Sequence, residues 1–399
     1  MDDPVRFFSA ITREKDPEQA VELLVEQLHA QLEQNGGNPA ARRPPDLMWL
    51  FLSAHYTHFG RQIADGLCAA LDPGLLIGCT AENVICKDSE IEGEPAISLA
   101  AAYLPGVRLT PFSLQPPNWH AFLLEPEEFR RVLGAPEDAR LFILLVDPFS
   151  TPVDDVLQAI NQSYPGVPAV GGLASGALRP QGNLLILNDG TMAEGLVGVA
   201  LSGALDIDLV VSQGCRPVWD PMTITASEKN VIYGLEGRPP LALLQELIPE
   251  LDDEDRALLQ NGLFIGRSVV PLDDVPGRGD FLIRGVIGVD WEQGTIAVGD
   301  IIQDGEVIQF HLRDAFTAQE DLEMMLIPQM FRNPPGGALL FTCNGRGSRL
   351  YNFPDGDITV IQKSLGGAPL AGFFCAGEIG PIGRENFVHG HSAVLALFR

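Results

Sequence analysis

Apolar positions along the 399-residue chain switch between helical spacing and short unbroken runs, the pattern of a mixed α/β protein. Val21, Leu24, Val25, Leu28 and Leu32 follow one helical face behind Asp16-Pro17-Glu18-Gln19, where an aspartate can accept from free first-turn amides and proline suits the first helical position. Gly36 and Gly37 end that helix, and residues 36–45 read as a linker rich in proline, glycine and arginine.

Beyond the linker the same unit is expected twice. The first copy comprises a strand over Leu47–Ser53, a helix near Phe59–Leu71, a strand over Leu75–Cys79 and alternating strands from Ala96 to Leu114. The second comprises Leu141–Val146, a helix near Val153–Tyr164, Ala169–Gly172 and strands between Asn183 and Ser212. Gly78-Cys79-Thr80 and Gly171-Gly172-Leu173 then occupy equivalent strand ends, the expected walls of one pocket.

A break is expected near residues 226–240, where Ser227-Glu228-Lys229-Asn230, Gly234 and Pro239-Pro240 interrupt the apolar pattern. Two acidic helical segments follow, then strands around Phe264, Phe281–Val289 and Thr295–Val298. Thr317-Ala318-Gln319-Glu320 reads as a capping box for a helix carrying Leu322, Met325 and Leu326. The runs Ala338–Phe341 and Leu370–Phe374 are buried strands, each followed by a glycine-flanked polar loop. The expected division is 1–45 as helix and linker, 46–227 as a duplicated mixed α/β domain, and 228–399 as a smaller α+β domain.

Composition narrows the function. The 53 acidic residues against 26 Lys and Arg leave a formal charge of −27, and no basic stripe is present, so nucleic acid and anionic membrane are poor partners. The six cysteines are scattered without a CxxC pair, which points to a reducing compartment. The acidic start Met1-Asp2-Asp3-Pro4 lacks a secretory pattern and no long apolar stretch reads as a membrane span, so a cytoplasmic location is expected.

The C-terminal motifs Cys343-Asn344-Gly345-Arg346-Gly347, Gly377-Glu378-Ile379-Gly380-Pro381 and Phe387-Val388-His389-Gly390-His391 resemble the C-terminal half of the FIST family of sensory domains. Leu76-Ile77-Gly78-Cys79-Thr80-Ala81-Glu82, Val170-Gly171-Gly172-Leu173-Ala174-Ser175 and Gly214-Cys215-Arg216-Pro217 fall in the order of its N-terminal half. The resemblance runs from about residue 45 to the end of the chain. It implies a cytoplasmic input module that binds a small molecule such as an amino acid and signals through a separately encoded partner such as a kinase. For some members it implies a haem that senses nitric oxide. Val218-Trp219-Asp220 departs from the apolar residue and glycine usual after Gly214-Cys215-Arg216-Pro217.

Arg346 and Glu378 are the leading ligand-binding pair, since a guanidinium grips a carboxylate with two bonds and a carboxylate can hold an ammonium group. Their bland alternative is a loop brace, with each other or with Arg349. Cys343, Gly377 and Gly380 complete that side of the expected site, and Cys79, Thr80, Gly172 and Ser175 the other. A thiol-dependent enzyme using Cys343 or Cys79 is the alternative from another class, with His389 or His391 as base. Cys375 shares the strand-end setting.

His55 with His58, or His389 with His391, lack a third metal ligand at a recognisable spacing. No cofactor is expected. The alternative is haem, for which His120, His311 and His389 are the axial candidates. The glycines after Val170 are followed by Arg179-Pro180-Gln181-Gly182 in place of a helix start, which argues against a phosphate cradle. The acidic run Asp252–Asp255 reads as a solvated helix start, without the alternating ligands of a calcium loop.

Overall fold

The computed structural model describes residues 4–34, 43–117, 119, 123, 125–269, 277 and 279–399. Two compact units emerge, one formed by Met1–Val211, Leu322–Val388 and Ser392–Arg399, the other by Ser212–Asp321 with His389–His391. The α/β class expected from the sequence is observed.

The first unit repeats one motif. Its first copy runs β1 (Arg6–Thr12), α1 (Pro17–Gln34), β2 (Leu47–Ser53), α2 (Gly60–Leu71), β3 (Leu76–Ala81), a hairpin of β4 (Val84–Cys86) and β5 (Ser89–Ile91), and β6 (Ile97–Tyr103). The second runs β7 (Val107–Leu114), α3 (Pro126–Leu133), β8 (Ala139–Val146), α4 (Val153–Ser163), β9 (Ala169–Leu173), the hairpin β10 (Leu185–Leu187) and β11 (Gly190–Met192), and β12 (Leu196–Gly203). A third copy begins at β13 (Ile207–Gln213), after which the chain departs into β14 (Cys215–Glu228), β15 (Val231–Leu235), α5 (Pro240–Leu247), α6 (Asp253–Leu259), β16 (Phe264–Ser268), β17 (Phe281–Asp290), β18 (Thr295–Val298) and β19 (Val307–Arg313). The motif resumes with α7 (Ala315–Leu326), β20 (Gly337–Cys343), α8 (Ser348–Tyr351), α9 (Gly356–Leu365), β21 (Leu370–Cys375), the hairpin β22 (Glu378–Ile382) and β23 (Glu385–His389), and β24 (Ser392–Phe398).

The three sheets have matching orders, β1-β6-β2-β3-β10-β11, β7-β12-β8-β9-β22-β23 and β13-β24-β20-β21-β4-β5. In each, a parallel pair (β2/β3, β8/β9, β20/β21) is flanked by the antiparallel return strand of its own copy and by the hairpin of another. The second copy lends its hairpin to the first sheet, the third to the second, and the first to the third. No copy therefore completes its hydrogen bonding alone. Two copies were expected where there are three, and their bounds shift: β7, expected in the first, opens the second, and β13, expected in the second, opens the third, which escaped detection because the β14–β19 segment separates its edge strand from its body.

Register makes the copies comparable position by position. Leu50 pairs with Gly78, Leu144 with Gly171 and Leu340 with Gly372. A Cβ on these glycines would lie 2.2, 1.9 and 1.9 Å from the carbonyl oxygens of those leucines, so the close approach requires glycine each time. The inner faces of the three sheets share one core that includes Phe51, Ile77, Ile143, Val170, Phe341 and Phe373. Burial of each such side chain is worth about 1.5–3 kcal/mol. The helices cover the outer faces, α1 and α2 on the first sheet, α3 and α4 on the second, and α7 and α9 on the third.

The second unit is a closed barrel in the order β14-β15-β18-β17-β16-β19. The break expected near residues 226–240 falls within it, at the β14/β15 hairpin and the start of α5. Trp219, in the departure from the family motif, packs edge-on against Phe310 of the barrel core at 5.6 Å.

Helix caps follow local chemistry. Asp16 Oδ1 accepts from the amides of Glu18 and Gln19 at 3.1 and 3.0 Å, as the sequence implied. Asp252 caps α6 through the amide of Asp255, so the acidic run is a helix start. The cap expected at Thr317 sits three residues earlier: Asp314 accepts from the amides of Phe316 and Thr317 and from the Thr317 hydroxyl, a stronger set than a threonine oxygen offers.

Candidate functional site

Within the first unit, a cavity of about 700 Å³ opens beyond the carboxyl ends of β2, β3, β9 and β20. Parallel strands ending together leave a crevice between their outgoing loops, the usual seat of a ligand in α/β proteins. The chemistry-bearing side chains lining it are His55, Glu82, Glu92, Ser175, Ser348 and Arg349.

Each is held by the loop that carries it. Arg349 forms a half-exposed ion pair with Glu82, and its Nη1 also donates to the Asn344 carbonyl at 3.1 Å. Glu92 accepts from the Ser348 amide at 2.9 Å and hydroxyl at 2.7 Å. The Ser175 hydroxyl oxygen accepts from the Glu82 amide at 2.9 Å, tying the ends of β3 and β9 together. Leu178, on the adjoining loop, is 97% exposed at the rim. The cavity thus presents a cation between two carboxylates, with hydroxyl groups beside them.

Of the ligand residues expected from sequence, Ser175 lines this cavity. Arg346 does not. It is fully buried, its Nε and Nη2 donating to Asp357 at 2.8 and 2.6 Å and Nη2 also to the Tyr351 hydroxyl at 2.8 Å. Burial works against the guanidinium's charge, but Asp357 more than offsets it and raises its pKa. Burial likewise pushes Tyr351 up. The brace reading therefore describes Arg346, with Asp357 as partner in place of Glu378 or Arg349.

Glu378 is also fully buried. Its Oε2 accepts from the Ser392 amide at 3.2 Å and hydroxyl at 2.7 Å, while among the described residues no N–H or O–H donor reaches Oε1. Cys79, Thr80, Gly172, Gly377 and Gly380 are buried too. Thr80 Oγ1 accepts from the Leu184 amide at 2.8 Å, and a Cβ on Gly172 would meet the Cys375 sulfur at 2.2 Å. Cys343 is partly exposed, whereas Cys79 and Cys375 are enclosed and burial raises both thiol pKa values. Glu82 stood inside a recognised motif and Arg349 three residues past Arg346, but loop spacing does not say which side chain turns outward.

Burial lifts the Glu378 carboxyl to about 8 against the lowering effect of Ser392, and burial with Asp357 nearby lifts Glu90 in the same direction. Between the ordinary carboxylate value and about 8, folded Glu378 keeps a proton that the unfolded chain has released. Its contribution is consequently intact at low pH and is lost as pH rises through that window. Glu378→Gln should remove it: wild-type stability in urea should fall on the order of 2–4 kcal/mol more than the variant's between about pH 5 and about pH 8. Parallel pH profiles would contradict the assignment.

Among the described residues no group of three or more His, Cys, Asp or Glu is arranged to hold a metal ion. Among the described residues no helix is long and apolar enough to cross a membrane. His55 and His58 are exposed, and His55 Nδ1 lies 3.3 Å from the Ser53 hydroxyl. His389 is buried, and His391 packs edge-on against Phe264 at 4.5 Å. Residues 174–184, after the glycines of β9, contain no helix start. His120 lies outside the described residues. His311 lines a second cavity, of about 610 Å³ in the barrel unit, together with Cys215, Arg216 and Phe281.

Comparison with known proteins agrees with this architecture. The family model of the FIST N domain matches residues 46–238 and that of the FIST C domain residues 240–381. Uncharacterized proteins of Mycobacterium tuberculosis strains CDC 1551 and H37Rv are each 38% identical over 375 residues, covering 93% of this chain and 94% of theirs. An uncharacterized protein of Mycobacterium bovis is 38% identical over 361 residues, covering 90% of this chain and 92% of its own. FIST domains are associated with sensory signalling. Matching motifs, paired domains and near full-length relatives lead to one conclusion: the chain belongs to the FIST family.

Proposed function

We propose that the protein is a non-enzymatic sensory protein that binds a small zwitterion, an amino acid or close analogue, in the cavity beyond β3, β9 and β20. The observation that carries this reading is the half-exposed Arg349 beside Glu82 and Glu92 in a cavity of about 700 Å³. Arg349 would take the ligand carboxylate and Glu82 or Glu92 its ammonium group, with Ser175 and Ser348 orienting it. Ligand binding would draw the loops of several copies together, a change that a separate signalling protein in the cytoplasm could read.

The test is calorimetric titration of the full chain with each common amino acid, repeated on Arg349→Ala. Loss of one charge-assisted, two-bonded contact should weaken the ligand's affinity at least about 10-fold, with Arg349→Lys recovering only part. Unchanged affinity in Arg349→Ala would overturn the reading.

A haem alternative rests on His311. Its Nδ1 lies 3.0 Å from the Gln309 carbonyl and burial lowers its pKa to about 4, so a neutral ring with Nε2 open to iron suits the donor chemistry. Haem held by His311 would supply an iron able to bind a diatomic gas. A Soret band after haem addition that is lost in His311→Ala would favour this reading.

A further inference from the structure

The three copies allow an internal comparison, and their equivalence breaks at the ends of β20 and β21. Cys343, the last residue of β20, corresponds by register to Ser53 in the first copy and Asp147 in the second. Cys375 corresponds to Ala81 and Ala174. Glu378, which starts the lent hairpin opposite Gly172, corresponds to Val84 opposite Phe373 and Leu185 opposite Cys79. Ser392, the first residue of the return strand β24, corresponds to Ala96 and Gly195. Two apolar residues of the common core are thus replaced, in the third copy, by a buried carboxyl group and a thiol.

The thiols and the carboxyl meet there. Cys343 and Cys375 are direct partners in adjacent parallel strands, so both side chains leave the same face. Cys375 Sγ packs against Gly172, the strand partner of Glu378, and Cys343 is near enough to the Glu378 carboxyl to lower its pKa; among the described residues no N–H or O–H donor reaches its Oε1. The Gly345 amide donates to the Cys343 sulfur at 3.4 Å, and the charges of Arg346 and Arg349 are near enough to interact with a Cys343 thiolate. Cys343 is partly exposed while Cys375 is enclosed behind it.

We infer that Cys343 is a hydroperoxide-oxidisable thiol, with Glu378, in the molecules where it is ionised, as its proton acceptor and Cys375 as the thiol that closes a disulfide with it. Glu378 takes the Cys343 proton, and the thiolate attacks the terminal oxygen of the hydroperoxide. The S–O bond forms as the O–O bond breaks, and the departing alkoxide or hydroxide recovers the proton from Glu378. Cys343 is left as a sulfenic acid, its sulfur oxidised and the peroxide reduced to an alcohol or water. Cys375 then attacks that sulfur, the S–S bond forms, and hydroxide leaves with the Cys375 proton as water. Adjacent parallel strands lie about 4.8 Å apart, within the Cα separation of about 4.4–6.8 Å that a disulfide spans. A carboxyl group with a raised pKa is well matched to a thiol for this proton exchange. The inference is independent of the zwitterion reading, because Cys343, Cys375 and Glu378 do not line that cavity.

The test treats the reduced full chain with hydrogen peroxide and maps each cysteine by mass spectrometry. Cys68, the other partly exposed thiol, is the internal control. Cys343 should oxidise well ahead of Cys68 and appear bonded to Cys375. In Cys375→Ala its sulfenic acid should persist and be trapped by a 1,3-dione. Glu378→Gln should slow Cys343 oxidation about 10-fold or more. Glu378→Leu, which restores the residue type of the second copy, should slow it as much and guards against a folding failure of the glutamine variant. Oxidation of Cys343 no faster than Cys68, wild-type rates in both Glu378 variants, or Cys343 passing to sulfinic acid while Cys375 stays reduced would each overturn the inference.

Discussion

Replacing Asp357 by asparagine is expected to lower the unfolding free energy by about 3–5 kcal/mol, because it leaves the enclosed Arg346 guanidinium without its counter-charge. Asp357 accepts from Arg346 Nε and Nη2, from the Tyr351 hydroxyl at 2.7 Å and from the Thr342 hydroxyl at 2.9 Å. Burial acts to raise its pKa, but Arg346 and these hydrogen bonds prevail and hold it below the usual aspartate value. An amide can keep some of these bonds but none of the charge. Equilibrium urea unfolding at neutral pH measures the loss. Joint replacement of Arg346 and Asp357 by leucines should cost clearly less than Asp357→Asn, since it buries no unpaired charge. A loss under about 1 kcal/mol for the single variant would show that water or another carboxylate reaches Arg346.

Alanine at Gly372 is expected to cost about 3 kcal/mol or more, and alanine at Gly78 or Gly171 a similar amount. Each new Cβ would sit about 2 Å from the leucine carbonyl of the neighbouring parallel strand, and a hydrogen-bonded backbone cannot step aside as a flexible side chain can. Gly171 carries an added cost, its φ of 142° being a conformation that alanine rarely adopts. Gly288→Ala is the control: its nearest neighbour would be the Ala297 Cβ at 3.7 Å, an ordinary contact, and the cost there should be small. Thermal unfolding of the four variants separates the outcomes. Three equal large losses would support mechanical equivalence of the copies, and a large loss at only one would contradict it.

The strand and helix positions of the first two copies were legible from periodicity because each element buries one face or both. The α1 cap was legible because a side chain accepting from amides two and three residues away is a local event. The α7 cap was not, since Asp314 and Thr317 both suited the position and the better acceptor won. The third copy was hidden for a different reason. Its edge strand and body are joined in space by β24 and separated in sequence by a barrel, and strand pairing leaves no periodic trace along the chain.

The candidate site divides along the same line. Sequence alone determined the α/β class, the family motifs, the acidic charge and which loops follow buried strands, because these depend on residue type and short spacing. It named Arg346 and Glu378, neither of which lines the cavity. Only the tertiary structure decided that Asp357 encloses Arg346, that Arg349 and Glu82 turn into the cavity, and that Cys343, Cys375 and Glu378 come together. The direction of a loop side chain depends on partners distant in sequence, and desolvation energy, which sets whether a charge can stay unpaired, exists only once those partners have closed around it.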